Sequence, residues 1–201
     1  MTEAEWHHGN DAGALLDFLW HRRNVSPDGI GIRFGGAVQA SAAEGVGDPL
    51  TRALHRFYLA SCRGIWPLLP QEASRRGVEL AEQFLAGAVA AESVNEYNWH
   101  TEGAAFRIDY AAAPGDVEAI AQWIVEIQAL PAGELRAMLH PPETADEVEP
   151  RELLLRAAYF ADYAMIYPSI RPPGPPPDSY RPFLSAEVLR RHVSYPGLAN
   201  E

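Results

Sequence analysis

The stretch from Leu50 to Leu69 constrains the fold most strongly, because its apolar residues recur at steps of three and four. This spacing is typical of an α-helix that buries one face. Arg52, His55 and Arg63 fall between them on the other side. The apolar set is Leu54, Phe57, Tyr58, Cys62, Ile65 and Leu69. Since each buried Leu, Ile or Phe contributes about 1.5–3 kcal/mol, this face predicts a core helix.

A second helix is predicted beyond Pro67 and Pro70, which interrupt the first one. Its apolar positions are Val78, Ala81, Phe84 and Leu85, again at helical steps. The two helices, which together extend to Ala88, are expected to pack as an antiparallel hairpin at the centre of the fold. Buried aromatic residues and a single buried cysteine act as packing groups in such a hairpin.

Four segments resemble those of a family of uncharacterised bacterial proteins. They are the opening MTEAEW, LLDFL at 15–19, RFYLASCRGIWPLL at 56–69 and SRRGVELAEQF at 74–84. The resemblance implies an N-terminal all-helical module, and it implies no activity, cofactor or catalytic residue. The chain departs from that pattern in the glycine-rich stretch at 27–47, and the resemblance does not extend beyond Val94.

The whole chain favours one folded domain. Its 201 residues suffice for one sizeable core, and a composition of 47% hydrophobic and 21% charged residues is typical of a folded protein rather than a disordered one. No apolar run approaches the ~20 residues of a membrane span. A secretory signal begins with a basic segment that an apolar segment follows, whereas the first residues of this chain are acidic. We therefore expect no secretory signal and a cytoplasmic protein.

Composition excludes several kinds of chemistry. One cysteine leaves no internal disulfide, zinc ribbon or iron–sulfur cluster within a single chain. All sixteen basic residues are arginine, which excludes Schiff-base lysines and the lysines of phosphate-binding loops and kinases. A net charge of −11 opposes binding to nucleic acid and favours a basic protein or peptide as the partner.

Further helices predict an all-α fold, an irregular helical bundle over residues 1–167. One helix is expected from Asp11, whose carboxylate can cap it, to about Arg23. Another begins near Asp116 and ends before Pro131. The last long one is expected from Arg151 to Ile166.

Two segments interrupt this helical pattern. Residues 27–48 contain many glycines, with Ile30, Ile32 and Phe34 alternating between them, and are predicted to form a loop or small hairpin insertion. Residues 168–201 begin with a proline-rich run and are predicted to form an arm that ends in a short helix capped by Ser185. That arm either binds a partner domain or lies across its own domain with Tyr180 and Phe183 as anchors.

Glu92, Glu96 and His100 form the best candidate metal site. They are spaced by four residues, so on a helix their side chains project from one side. Carboxylates and an imidazole in this arrangement can bind a divalent metal ion, with His55 as a candidate further ligand. A solvated helix face without metal explains the same spacing.

Asp162 is a second candidate for acid–base chemistry, because it lies among Tyr159, Tyr163 and Tyr167. Burial would raise the pKa of such a carboxyl group toward the range used in catalysis. Tyrosines also line helix contacts for packing alone.

The pattern favours a noncatalytic helical module that binds another protein, in an accessory or regulatory role. No nucleophile–base pairing is visible in the sequence, so we predict no cofactor and no catalytic residues. The alternative is a metal-dependent hydrolase or transferase that uses Glu92, Glu96 and His100, where the metal ion activates a bound water. The oligomeric state and the partner stay open.

Overall fold

The computed structural model describes residues 1–24, 49–167 and 176–195, and every regular element in these ranges is helical. The α-helices are α1 (Glu3–His8), α2 (Ala12–Asn24), α3 (Pro49–Gly64), α4 (Glu72–Leu85), α5 (Ala91–Tyr110), α6 (Pro114–Gln128), α7 (Ala132–Met138), α8 (Pro150–Ile166) and α9 (Ala186–His192). Short 3-10 helices lie at Trp66–Leu68, Pro142–Asp146 and Asp178–Phe183. The predicted all-α bundle is confirmed for these ranges. The predicted insertion at 27–48 and the segments 168–175 and 196–201 of the predicted arm lie outside them.

Helix α8 is central to the bundle, because it packs against α3, α4, α5 and α6. Its buried side is rich in small residues, namely Ala157, Ala158, Ala161 and Ala164. Small side chains allow neighbouring helix backbones to approach closely, and α5 makes the most extensive contact with α8. The core therefore lies between these helices.

The apolar face predicted for α3 and its extension is confirmed. Leu54, Phe57, Tyr58, Cys62, Ile65 and Leu69 are all fully buried. His55 was expected on the opposite, polar side, and this expectation is wrong. It is buried together with Thr51 and Leu59, because neighbouring elements cover α3 on more than one side.

The predicted hairpin of α3 and α4 contributes less packing than expected. The two helices are joined near their surface by Arg63 and Glu82, whose side chains form two hydrogen bonds of 2.9 and 2.5 Å. Helix α4 makes its larger contacts with α5 and α8. Gly77 allows this approach, since a Cβ atom there would clash with Thr101 and Met165.

The described part of the arm, residues 176–195, packs against the helical core. Phe183 and Leu189 are buried, and the ring of Tyr180 lies 5.5 Å from the ring of Phe160. Helix α9 contacts α3 and α2. For residues 176–195, Tyr180 and Phe183 therefore lie against the helical core, as one of the two alternatives for the arm predicted.

Two N-terminal helices begin at capping residues. The Ala14 amide donates a 3.1 Å hydrogen bond to the Asp11 carboxylate, which confirms the cap predicted for α2. Thr2 and Glu5 form a reciprocal capping box on α1. At the other end of α1, the Arg190 guanidinium of α9 donates to the Gly9 carbonyl at 2.6 Å. None of the helices in the described ranges combines the length and apolar character needed to cross a bilayer.

Candidate functional site

The three predicted metal ligands, Glu92, Glu96 and His100, are all exposed on α5. The His100 ring lies 4.8 Å from the Tyr97 ring. Among the described residues, no three His, Cys, Asp or Glu side chains lie close enough together to hold a metal ion. The metal interpretation receives no support from this geometry and stays a prediction, which elemental analysis of untagged protein would test.

His55, the candidate further ligand, is only 2% exposed. Its ring lies 6.0 Å from the Tyr167 ring. Neither ring nitrogen makes a hydrogen bond of normal geometry to a described residue. Burial lowers the pKa of His55 to about 4, although the nearby backbone of Ala164 and Met165 raises it in part. The imidazole is therefore neutral at pH 7 and belongs to the core.

Asp162, the candidate acid–base residue, is half-buried on α8. Its carboxylate accepts a 2.7 Å hydrogen bond from the Thr101 hydroxyl on α5. This bond joins the two helices that share the largest contact in the fold. The geometry gives Asp162 a structural role, and its use in acid–base chemistry stays untested.

An aromatic stripe on α5 is the most distinctive surface feature. Trp99 is 78% exposed, Tyr110 71% and Phe106 41%. Positions 99, 106 and 110 are seven and four residues apart, so they lie along one side of the helix. The Phe106 ring lies 5.8 Å from the Tyr110 ring and 6.2 Å from the Tyr159 ring of α8. We call Trp99, Phe106 and Tyr110 the aromatic stripe.

A groove of about 700 Å³ borders the Trp99 end of the stripe. It is bounded by α5, the start of α4 and the Trp123 side chain of α6. Gly103 forms the floor of the groove and leaves open space above it, since a Cβ atom there would meet nothing within 4 Å. We call it the Gly103 groove, and the lining residues used below are Gln71, Glu72, Tyr97, Trp99, Gly103, Arg107 and Trp123.

Gln71 supplies a polar wall of this groove. It is only 7% exposed, and its Nε2 atom donates a 2.6 Å hydrogen bond to the Ala104 carbonyl. Its Oε1 atom is buried and has no hydrogen-bond partner among the described residues. A buried acceptor without a partner costs about 1–3 kcal/mol, so Gln71 contributes to the groove through its packed side chain and not through this oxygen.

Carboxylates border the groove at Tyr97. Burial raises the pKa of the Tyr97 phenol, and the negative charges of Glu72 and Glu79 raise it further, against the opposing effect of Arg76. Glu72 is exposed at the first turn of α4. Glu72 therefore places a carboxylate at this end of the groove.

A second groove, of about 760 Å³, is lined by Asp109 of α5 and by acidic residues near the start of α8. These are Glu147, Glu149 and Glu152. Arg156 pairs with Glu152 at 2.7 Å, and Arg151 donates to the Ile108 carbonyl at 2.8 Å. Asp109 accepts a 3.1 Å hydrogen bond from Tyr159. Because Asp109 and Gly103 lie on opposite sides of the stripe, acidic groups border it on both sides.

Sequence reasoning missed the aromatic stripe, although a signal for it was present. The buried side of α5 consists of Val94, Thr101, Ala104, Ala105 and Ile108. Trp99, Phe106 and Tyr110 lie outside that set, at a helical spacing of their own. A helix with small buried residues on one side and large rings on another indicates a second contact face.

Comparison with known proteins provides no further guide to this surface. No family model matches the chain, and no similar protein was found among curated proteins or solved structures. The resemblance of four segments to a bacterial family stays an expectation. What the surface can bind has to be inferred from its own geometry.

Proposed function

We propose that the protein is a noncatalytic helical module that binds a basic protein partner through the aromatic stripe. The observation that supports the proposal is the exposure of Trp99, Phe106 and Tyr110 along one side of α5. Large rings left in water on one helix face are unfavourable unless a partner covers them, and such patches are typical of interaction sites. Trp and Tyr are also enriched among the residues that dominate binding energies.

Charge supports the choice of a basic partner. The chain has a net charge of −11, and Asp109 and Glu72 lie on the two sides of the stripe. Complementary charge at the rim of an interface raises the association rate and suppresses unsuitable partners. An aromatic centre with an acidic border therefore suits a surface that carries arginine or lysine around an apolar patch.

The double variant Phe106→Ala/Tyr110→Ala tests the proposal. A partner captured from a host extract would be identified and purified, and its Kd measured by calorimetry with each form of the protein. We expect the double variant to bind at least about tenfold more weakly, which corresponds to about 1.4 kcal/mol. The exposed residue Gln128 on α6 provides the control, Gln128→Ala, which should bind like the wild type.

Both variants must first melt close to the wild-type temperature, because Phe106 also contacts Tyr159. If a folded double variant binds the purified partner as tightly as the wild type, the aromatic stripe is not the binding face. The same conclusion follows if the control variant weakens binding equally.

A further inference from the structure

We infer that the Gly103 groove holds an arginine side chain of the partner, stacked on the Trp99 indole and paired with Glu72. The inference rests on the proposed function and names the residue type that anchors the partner. Three features of the groove support it: the Trp99 indole, the Glu72 carboxylate and the open space at Gly103.

The protein already contains one site of this kind. The Arg63 guanidinium lies 4.0 Å from the centre of the Trp66 ring, and it forms two hydrogen bonds with the Glu82 carboxylate. A planar cation over an indole ring, held by a carboxylate, is favourable through both the ring quadrupole and the charge. The Gly103 groove presents the same two groups, an indole and a carboxylate, on an open surface.

The Glu72 carboxylate is the charged acceptor in the lining of the groove. It is exposed at the start of α4, whereas the unpartnered Gln71 Oε1 atom is fully buried and does not contact an incoming group. A guanidinium carries five N–H donors in one plane, so it can stack on the indole and donate to the Glu72 carboxylate at the same time. A lysine ammonium is compact and cannot stack in the same way, which predicts selectivity for arginine.

Arg107, the arginine in the wall of the groove, is already paired in the described structure. Arg107 donates from Nε to the Asp116 carboxylate at 2.7 Å, and its Nη2 atom lies 2.6 Å from the same oxygen. This pairing offsets its repulsion of an incoming guanidinium. Gly103 leaves space for the flat group, since nothing lies within 4 Å of the position that a Cβ atom would take.

The experiment compares two fluorescein-labelled peptides of the same length and charge, one with arginine and one with lysine at every basic position. Kd values are measured by fluorescence anisotropy at physiological salt. We expect the arginine peptide to bind at least about fivefold more tightly to the wild type. Glu72→Gln and Gly103→Leu should each weaken arginine binding by about tenfold and remove most of the difference between the peptides.

Gly103→Leu fills the floor of the groove and should stay folded, because leucine favours a helix over glycine and the site is open. Gly133→Leu is the matched control, since Gly133 is also helical and open but lies in α7, outside the groove. The control should leave both Kd values unchanged. Melting temperatures establish that each variant is folded.

Equal binding of the two peptides to the wild type would overturn the arginine inference. So would an unchanged Kd in a folded Gly103→Leu variant. If that variant binds normally while Phe106→Ala/Tyr110→Ala binds weakly, the arginine site in the groove is excluded and the aromatic stripe is still supported as the binding face. If neither variant changes binding, both proposals are wrong and the peptides bind through net charge alone.

Discussion

Gly77 of α4 lies so close to Thr101 of α5 that no Cβ atom fits between the two helices. Met165 of α8 borders the same point, and the Thr101 hydroxyl donates to Asp162 of that helix. Three helices therefore meet at one residue without a side chain. Gly103, one helix away, has the opposite surroundings, since a Cβ atom there would meet nothing within 4 Å, and the two glycines allow a matched test of packing.

Gly77→Ala should lower the free energy of unfolding by about 1–3 kcal/mol, because the added methyl group has to displace buried atoms of Thr101 and Met165. Gly103→Ala should instead raise it by up to about 1 kcal/mol, since alanine is the better helix former and the space is open. Urea unfolding at fixed pH measures both. Similar shifts of the same sign in the two variants would contradict the packing described at Gly77.

Ala111→Gly should stabilise the protein by about 0.5–1 kcal/mol. Ala111 ends α5 with φ at 43° and ψ at 52°, in the left-handed region that costs an alanine about 1–2 kcal/mol. Glycine adopts this conformation without that cost, although its freer unfolded chain offsets part of the gain. Ala112→Gly is the control and should not stabilise. Thermal unfolding of the two variants checks the prediction.

Stability should fall as the pH is lowered from about 6.5 to about 4. The pKa of His55 is about 4 in the folded protein and near its ordinary value of 6.5 after unfolding, so the unfolded chain takes up the proton first. The contribution of neutral His55 to the free energy of unfolding is fully present above pH 6.5, and at most about 3 kcal/mol is lost as the pH falls through 4. Burial also lowers the pKa values of His140 and His192, with the same sign.

His55→Gln isolates the contribution of His55. The free energy of unfolding of this variant should depend less on pH between about 4 and 6.5 than that of the wild type. His100→Gln, at an exposed position, is the matched control and should retain the wild-type dependence. A wild-type slope in the His55 variant would show that other groups cause the loss of stability in acid.

Arg190→Met should lower the free energy of unfolding by about 1–2 kcal/mol. Its guanidinium donates to the carbonyls of Trp6 at 3.1 Å and Gly9 at 2.6 Å, and so satisfies the end of α1 from a helix far along the chain. Arg191→Met removes the same charge from the next position, which is exposed. Chemical denaturation should show a clear loss for the first variant and little for the second.

The spacing of apolar residues in the sequence predicted those helices that have one apolar and one charged face. The apolar face from Leu54 to Cys62 on α3 was predicted in this way. The Asp11 cap was also predictable, because both features depend on residues within a few positions of each other. His55 was misplaced since its burial depends on α8 and other elements distant in sequence. No local period carries that information.

The aromatic stripe could not be assigned from sequence for a related reason. Helices α5 and α8 approach through small residues such as Ala105 and Ala161, so the helix buries its small side and leaves Trp99 and Tyr110 outside. Size and hydropathy alone favour the reverse orientation. The three predicted metal ligands are exposed on α5, and among the described residues no three His, Cys, Asp or Glu side chains lie close enough together to hold a metal ion.

Chemical labelling of the buried Cys62 thiol can measure how often the core around α3 opens. Cys62 is the only cysteine, it is fully buried, and burial raises its pKa, so a thiol reagent cannot reach a reactive thiolate while α3 is packed. Covalent labelling then proceeds only as fast as the core exposes that atom. A partner that stabilises the folded protein should lower the rate of Cys62 labelling, so its binding can be detected without a dye, a tag or an added residue.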